Sequence, residues 1–335
     1  MELYYQLRML AARQHGVVTA TQCRALGASP RQVALWCRDK RWLRISRGVY
    51  LVDADLHAEV PRRALIRAAT FSAGPQAVAV LATAAELHGL AGLRPEKGVH
   101  VSLPGVAARA RRVLESGLRP HQLVLRSDEV TLVDGIAVTT PARTVADLLL
   151  RVDRYSAVCV LDSGLYRGLF STDDLPLIGA MLTGRRGAVK ARPWLAEADG
   201  RAESPLETRI RLRCVDGGVP PDTLQHPVRD GAGNLIAVGD LAWLKWRIIA
   251  EGDGVDAHEN PVAVFRDRTR QNDLVTAGYT TLRFTWPDTM HPSYIPQVVR
   301  RAHIAAVSRR HGPSTRVDLP LDRSWGGRPD TPPTR

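Results

Sequence analysis

Two acidic side chains lie at the ends of neighbouring apolar segments in the last third of the chain, and they have the chemistry of a divalent-cation site. Asp240 lies in the apolar run 235–242, and Glu251 ends the run 247–251. Alternation along a strand places Glu251 on the same face as Ile249, so we expect both acids near strand ends. Carboxylate oxygens are the ligands that Mg²⁺ prefers. A cation held by Asp240 and Glu251 would activate water against a phosphodiester.

Three further side chains accompany this pair. Asp253 follows Glu251 closely, and His258 lies in the same loop, where a histidine can accept a proton near neutral pH. Glu207 occupies the last position of S-x-x-E, which is also the pattern of a capping box in which the glutamate binds the Ser204 amide. The sequence therefore names Glu207, Asp240, Glu251, Asp253 and His258 as catalytic candidates, with Asp240 and Glu251 as ligands of Mg²⁺ or Mn²⁺. The alternative is a solvated loop edge.

A sheet flanked by helices would position these residues. The apolar periodicity predicts the order αβββαβα, with a helix at 205–214, strands at 223–228, 235–242 and 247–251, a helix at about 262–276, a strand at 280–286 and a last helix to about 307. We place the boundary of this domain at residue 201 and its end at 308. The Pro- and Arg-rich residues 309–335 are expected to form a disordered basic tail.

Composition restricts the partners and the compartment. The chain has 335 residues, a net charge of +12 and 44% hydrophobic residues, which is enough for two or three globular domains. Such a charge favours a polyanion, most simply double-stranded DNA, because clustered Lys and Arg release counterions from phosphates. Four cysteines without paired spacing indicate neither zinc nor disulfides. The absence of a signal core or a long apolar run leads us to expect a cytoplasmic protein with no membrane contact.

The basic charge is concentrated at the start of the chain. Residues 1–50 contain nine Lys or Arg against two acids. Helices are predicted at 2–14, after Thr19, and from Pro30 to about Asp39, where Ser29-Pro30 is a strong helix start. A hairpin follows at 42–51. Three helices followed by a hairpin match the winged helix-turn-helix plan, in which the third helix enters the major groove of DNA.

Residues 7–52 carry G-V-V-T-A-T-Q and R-G-V-Y-L, and they resemble the winged-helix domain of the type IV abortive-infection antitoxins. The resemblance gives a domain over 1–55 and places Leu35 on the recognition helix. Its DNA-binding candidates are Ser29, Arg31, Gln32, Arg38, Lys40, Arg44 and Arg47, of which the last four lie nearer phosphate. Trp36 and Trp42 are interpreted as core residues, because a small domain needs large apolar anchors.

A middle domain is expected over 56–200, with a helical pattern in the Ala- and Leu-rich residues 64–93 and a strand around 123–125. Its segment 136–149 carries T-x-P-x-R-T-x-x-D-L, which resembles the second domain of the same antitoxins. Arg143 and Asp147 are four residues apart on the helix that Pro141 opens, and we interpret them as an ion pair and not as catalytic groups.

Residues 203–305 carry E-S-P-L-E-T-R, G-D-L-A-W, E-G-D-G, F-R-D-R-T-R-Q-N-D-L and L-R-F-T-W, and they resemble the restriction-endonuclease-like fold, in particular very-short-patch-repair-like proteins. The resemblance makes Asp240 and Glu251 metal ligands and Glu207 an auxiliary acid. It also predicts a row of substrate contacts at Arg266, Asp267, Arg270 and Asn272. The superfamily usually has a lysine where this chain has Asp253, and His258, Lys245 or an arginine of 266–270 is the candidate substitute.

The sequence thus predicts a multidomain α+β protein with a winged helix, a mixed α/β middle domain and a restriction-endonuclease-like domain. The leading function is a DNA-guided, Mg²⁺-dependent endonuclease. The alternative is a non-enzymatic transcriptional autoregulator or antitoxin, with a cognate toxin as a further partner and a degenerate nuclease-like domain.

Overall fold

A computed structural model describes residues 2–55, 57–103, 117–253 and 270–311. Three separate β-sheets follow one another along the chain, each with its own helices. The protein is therefore a mixed α and β structure, as the sequence predicts.

The first unit is a three-helix arrangement with a small antiparallel sheet in the order β1-β3-β2. Leu7, Val33 and Trp42 share its core. Both inner helices begin at predicted caps, since Thr19 and Ser29 each accept the amide three residues later. The short strand β1 was not predicted, and it pairs with β3 on the inner side of the wing. The elements are α1 (Glu2–Ala12), β1 (Val17–Thr19), α2 (Ala20–Ala25), α3 (Pro30–Arg38), β2 (Trp42–Ser46) and β3 (Val49–Val52).

The middle unit has a mixed five-stranded sheet in the order β6-β5-β4-β8-β7, covered by helices. The pairs β4/β8 and β5/β6 are parallel, and the others are antiparallel. Its elements are α4 (Arg62–Ala73), β4 (Val78–Ala79), α5 (Leu81–His88), β5 (Val99–Ser102), β6 (Leu118–His121), β7 (Val130–Val133), β8 (Ile136–Thr139), α6 (Pro141–Leu149), α7 (Arg154–Tyr166), α8 (Leu175–Met181) and α9 (Ala188–Ala191).

Two sequence expectations fail in this unit. The Ala- and Leu-rich residues 64–93 were expected to be helical, but β4 interrupts them because its short backbone pairs with both β5 and β8. A strand was expected around 123–125, but the structure ends β6 at His121. The neighbouring strand β5 ends at Ser102, and among the described residues no strand pairs with those after His121.

The third unit has the predicted order αβββαβα in its described residues. The sheet order is β12-β11-β10-β9, with β11 and β12 parallel. Residues 254–269, which contain the predicted start of the fifth element, and the tail residues 312–335 lie outside the described part of the chain. The elements are α10 (Pro205–Asp216), β9 (Thr223–Arg229), β10 (Leu235–Trp243), β11 (Ile248–Gly252), α11 (residues 270–276), β12 (Thr280–Phe284) and α12 (Tyr294–His311).

Two helices are shared between neighbouring cores. In α4, Ala64 and Ala68 pack in the same cluster as strand residues of the first sheet, whereas Ile66 packs in the core of the middle sheet. In α10, Leu212 belongs to the middle core and Ile210 to the core of the third sheet. The three units are therefore joined by packed helices as well as by loops.

A buried carboxylate fixes α10 against the middle unit. Asp162 on α7 is 1% exposed and accepts hydrogen bonds from Arg211 and Thr208, each at 2.8 Å, and from the Asp199 amide at 2.7 Å. Burial raises the pKa of Asp162 to about 6, although the charge of Arg211 acts in the opposite direction. A buried charge of this kind is tolerated only while its partners satisfy it.

We expect Asp162→Ala to lower the free energy of unfolding by about 3–5 kcal/mol, because removing one partner leaves Arg211 uncompensated in a desolvated place. Urea denaturation of the full chain at pH 7 measures this. The exposed pair of Arg126 and Asp128 supplies the control, since Asp128→Ala should change stability by less than about 1 kcal/mol. Equal effects of the two substitutions would contradict the assignment.

The same carboxylate predicts a pH dependence. Its folded pKa of about 6 lies above the ordinary value of 3.8, so the native state binds more protons than the unfolded state between about pH 4 and 6. The part of the folding free energy that depends on this proton is therefore fully present below about pH 4 and is lost as the pH rises through 6. Asp162→Asn should flatten the stability profile in this window.

Candidate functional sites

Helix α3, the predicted recognition helix, is fixed at its start by reciprocal side-chain hydrogen bonds. The Ser29 hydroxyl accepts the Gln32 amide at 3.2 Å, and the Gln32 side-chain oxygen accepts the Ser29 amide at 2.8 Å. Sequence reasoning missed this S-x-x-Q capping box and treated Gln32 only as a base reader. Its oxygen is committed to the cap, so its amide nitrogen is the group that remains to contact a base.

One face of α3 is buried and the other is available to a ligand. Val33 is buried, and Trp36 packs against Trp42 with ring centroids 4.7 Å apart, as expected for core residues. Arg31 and Leu35 lie on the exposed side. The remaining exposed DNA-binding candidates are Gln32, Arg38, Lys40, Arg44 and Arg47.

The wing completes this surface. Arg47 lies at the turn between β2 and β3, and Arg44 lies on β2. Within the described residues, Arg38 is the only one of the basic candidates that forms an ion pair, a 3.5 Å contact to the neighbouring Asp39. The basic side chains are thus free to approach phosphates, and we name the exposed residues of α3 and the wing the basic face.

Two acidic candidates of the third unit, Asp240 and Glu251, lie in one row across its sheet. Strand register pairs Leu241 with Ala250, which places Asp240 opposite Glu251. Glu251 in turn pairs with Arg283 on β12. On the other side of β10, the register places Gln225 of β9 opposite Asp240. We name Gln225, Asp240, Glu251 and Arg283 the polar row.

Glu207 closes one end of the polar row. Its carboxylate accepts the Gln225 side-chain amide at 3.0 Å, the Ser204 hydroxyl at 2.8 Å and the Glu203 amide at 2.9 Å. The glutamate therefore reaches the amide of Glu203, whereas the capping interpretation expected that of Ser204. Burial raises its pKa.

Asp240 lies beside Glu207 and is largely shielded from solvent. Its carboxylate accepts the Gly252 amide at 2.8 Å. Burial raises the pKa of Asp240 to about 6, and the neighbouring charge of Glu207 adds to the rise against the opposing Gly252 hydrogen bond. Two nearby carboxyl groups with raised pKa values are common at functional sites, although structural networks also produce them.

Glu251, the second predicted metal ligand, is held by two guanidinium groups. Arg270 contacts it at 2.5 Å and Arg283 at 3.6 Å. Among the described residues, no three histidine, cysteine or carboxylate side chains are grouped so that they could hold a metal ion. As they stand, these residues do not fit a bound cation, and the assignment of Mg²⁺ or Mn²⁺ to Asp240 and Glu251 stays a prediction.

Some of the remaining predicted site residues lie in the described part of the chain, and the others lie outside it. His258, Arg266 and Asp267 lie outside the described residues. The Asp253 amide bonds the Phe284 carbonyl at 2.8 Å, and Asn272 is exposed on α11.

Sequence reasoning missed two members of the polar row. Arg283 was visible only as the arginine of L-R-F-T-W, with nothing to connect it to Glu251 before the strand register was known. Gln225 has a φ of 49° within β9, a conformation that is uncommon for a residue other than glycine. Local sequence carries no signal for that conformation.

Within the described ranges, every helix is too short or too polar to cross a lipid bilayer.

Comparison with known proteins relates the first two units to antitoxins. Residues 5–52 match the family described as transcriptional regulator, AbiEi antitoxin, and residues 77–196 match the AbiEi antitoxin C-terminal domain. Neither match extends into the third unit.

The chain is also similar to two mycobacterial proteins. It is 35% identical over 207 residues to the uncharacterized protein Rv2248 of Mycobacterium tuberculosis strain H37Rv and to the uncharacterized protein MT2308 of strain CDC 1551. The alignment covers 62% of this chain and 73% of each relative. The chain therefore belongs to the family of these mycobacterial proteins, and its first two units carry the two domains of the AbiEi antitoxins.

Proposed function

We propose that this protein is a DNA-binding transcriptional regulator of the antitoxin kind, which acts by occupying DNA and performs no reaction. The observation that carries the proposal is the basic face, in which a capped helix α3 and a wing present exposed arginines, in a segment that matches the AbiEi regulator family. A cognate toxin is the partner that this family membership suggests.

The basic face divides into two chemical roles. Arg31 lies in the first turn of α3, and residues early in a recognition helix reach base edges in the major groove. Arginine binds guanine in a bidentate manner there. Arg47 lies at the wing turn, where its charge meets the sugar-phosphate backbone, which carries no direct sequence information.

We expect Arg31→Ala to change the preferred DNA sequence, with a loss of about 1–3 kcal/mol of discrimination at one position. Arg47→Ala should weaken binding to all sequences alike and reduce the slope of log affinity against log salt by about 1. Site selection from a random DNA pool, followed by titrations of the full chain at several salt concentrations, measures both effects.

An exposed arginine away from the basic face provides the control. Arg186 lies in the loop after α8 and is exposed, so Arg186→Ala should leave both preference and slope unchanged. If Arg31→Ala keeps the wild-type preference, α3 is not the reading element. If the full chain shows no binding at low salt, the proposal is wrong.

A second candidate function is a metal-dependent phosphodiesterase, and the polar row favours it. Glu207, Asp240 and Glu251 lie together at one level of the sheet, in an element order that resembles nucleases. A cation would have to compete with Arg270 and Arg283 for the Glu251 carboxylate. The charge of Glu251 is already offset, and for this reason the regulator is the better supported proposal.

A nicking assay separates the two candidates. As a regulator, the full chain should bind supercoiled plasmid and leave it intact in both Mg²⁺ and Mn²⁺. Nicking that is lost in Asp240→Asn and Glu251→Gln would establish the phosphodiesterase. Asp173→Asn is the matched control, because Asp173 is an exposed carboxylate of the middle unit, outside the polar row. Nicking that survives all three substitutions would indicate a contaminant.

A further inference from the structure

The outer surface of α1 carries a stripe of exposed side chains that is separate from the basic face. Its members are three, four or seven residues apart, and such positions lie on one side of an α-helix. Two of them are large and apolar, with Tyr5 58% and Met9 44% exposed. We name the stripe, which consists of Glu2, Tyr5, Gln6, Met9 and Arg13, the α1 stripe.

A hollow beside the α1 stripe leaves room for a large side chain of a partner. It has a volume of about 470 Å³ and lies between α1 and α2. Met9 and Leu10 line it from α1, and the exposed residues Ala25 and Leu26 line it from the end of α2. None of the DNA-binding candidates contributes to its described lining. The α1 stripe and the hollow thus form one largely apolar surface.

Opposite charges lie at the two ends of the α1 stripe. Glu2 is the first residue of α1 and Arg13 directly follows the last, which separates them by about 16 Å at a rise of 1.5 Å per residue. Among the described residues neither has an ion-pair partner, and Glu2 accepts only the Gln6 side-chain amide, at 3.0 Å. An apolar centre with an acid at one end and a base at the other is complementary to a second copy of itself turned by 180°.

Antiparallel pairing of two α1 helices would satisfy both charges at once. A twofold interface uses the same surface on both protomers, so Glu2 opposite the partner's Arg13 implies the reciprocal ion pair as well. The same register places Tyr5 opposite the partner's Leu10, at the hollow, and Gln6 opposite the partner's Met9. The antiparallel direction also brings the positive end of each helix dipole to the negative end of the other.

Other occupants fit this surface less well. A polyanion would meet Glu2 at one end and would gain nothing from the apolar centre. An acidic peptide would pair with Arg13 and be repelled by Glu2. Tyrosine, methionine and arginine are the side chains that protein interfaces favour, and the α1 stripe contains one of each.

We propose that two copies of this chain associate in solution through an antiparallel pairing of their α1 stripes, with Tyr5, Met9 and Leu26 buried at the centre and two ion pairs between Glu2 and Arg13 at the rim. An interface of one helix pair with its flanking α2 residues is small, so we expect weak, concentration-dependent association. The inference goes beyond DNA binding and does not depend on it.

Sedimentation velocity of the full chain without DNA tests the proposal. Concentrations from about 1 to 100 µM suit a small interface, and salt at about 0.15 M screens the long-range repulsion between two basic chains. The wild-type chain should change from monomer to dimer across this range. Met9→Asp should abolish the change, because it places a charge in the apolar centre.

Reversal of the charges distinguishes this pairing from any other contact. Glu2→Arg and Arg13→Glu should each weaken association by about tenfold or more, because each substitution creates two like-charge pairs in the twofold interface. The double variant Glu2→Arg/Arg13→Glu should return to within about threefold of the wild type, since it restores both ion pairs with their order reversed. Circular dichroism checks that α1 remains folded in every variant.

Two exposed positions of the middle unit supply matched controls. Leu132→Asp places a charge at a side chain that is 69% exposed on β7, and Arg186→Glu reverses an exposed charge. Both should associate as the wild type does. The proposal is overturned if the wild-type chain stays monomeric at the highest concentration, or if the double charge reversal associates no better than the single variants.

The same variants separate this proposal from the regulator proposal. Met9→Asp should remain monomeric and still bind a short DNA duplex at low salt, because the basic face lies outside the α1 stripe. A wild-type dimer that binds no DNA would support the pairing and refute the regulator alone.

Discussion

Burial of the Asp162 carboxylate under α10 is the contact on which the arrangement of the last two units depends. A charge removed from water is costly, and three donors from two parts of the chain offset that cost at once. One donor, Thr208, directly follows Glu207 on α10. The helix that is anchored in the middle unit therefore also positions the carboxylate that closes the polar row, and α10 cannot shift without disturbing both.

A comparable constraint holds the first unit. The buried guanidinium of Arg67 on α4 donates to the carbonyls of Asp134 and Gly135 in the turn between β7 and β8. The outer face of the same helix packs against the wing sheet through Ala64 and Ala68. The first unit, which contains the predicted recognition helix, is thus attached to the middle sheet through α4. DNA bound to the basic face would therefore have a defined orientation relative to the middle unit.

Local sequence patterns predict the helices and strands well where nearby residues supply the hydrogen-bond partners of the backbone. Ser29-Pro30 fixes the start of α3, and strand alternation gives the four strands of the third sheet to within two residues. The secondary-structure predictions fail where pairing between residues far apart in the sequence determines the structure. β4 forms in an Ala-rich segment because two strands flank it, and residues 123–125 join no strand in the described part of the chain, where β5 ends at Ser102. No local pattern contains either fact.

The candidate site shows the same division between local and distant effects. The sequence places Asp240 and Glu251 on adjacent strands, and their register confirms that they face each other. It does not reveal that Arg270 and Arg283 meet the carboxylate of Glu251, because one partner comes from a helix and the other from a parallel strand far along the chain.

This charge balance bears on the function. A cation site needs carboxylates whose charge is left for the metal, whereas Glu251 has its charge offset by guanidinium groups. By the resemblance to the restriction-endonuclease-like fold, a lysine is expected where this chain has Asp253, whereas in the structure Arg270 and Arg283 meet the Glu251 carboxylate directly. On the basic face the balance is the reverse, since its arginines outnumber the acids beside them and remain available to an external polyanion. The charged groups of the polar row are thus largely paired within the chain, whereas the basic side chains of the first unit remain exposed.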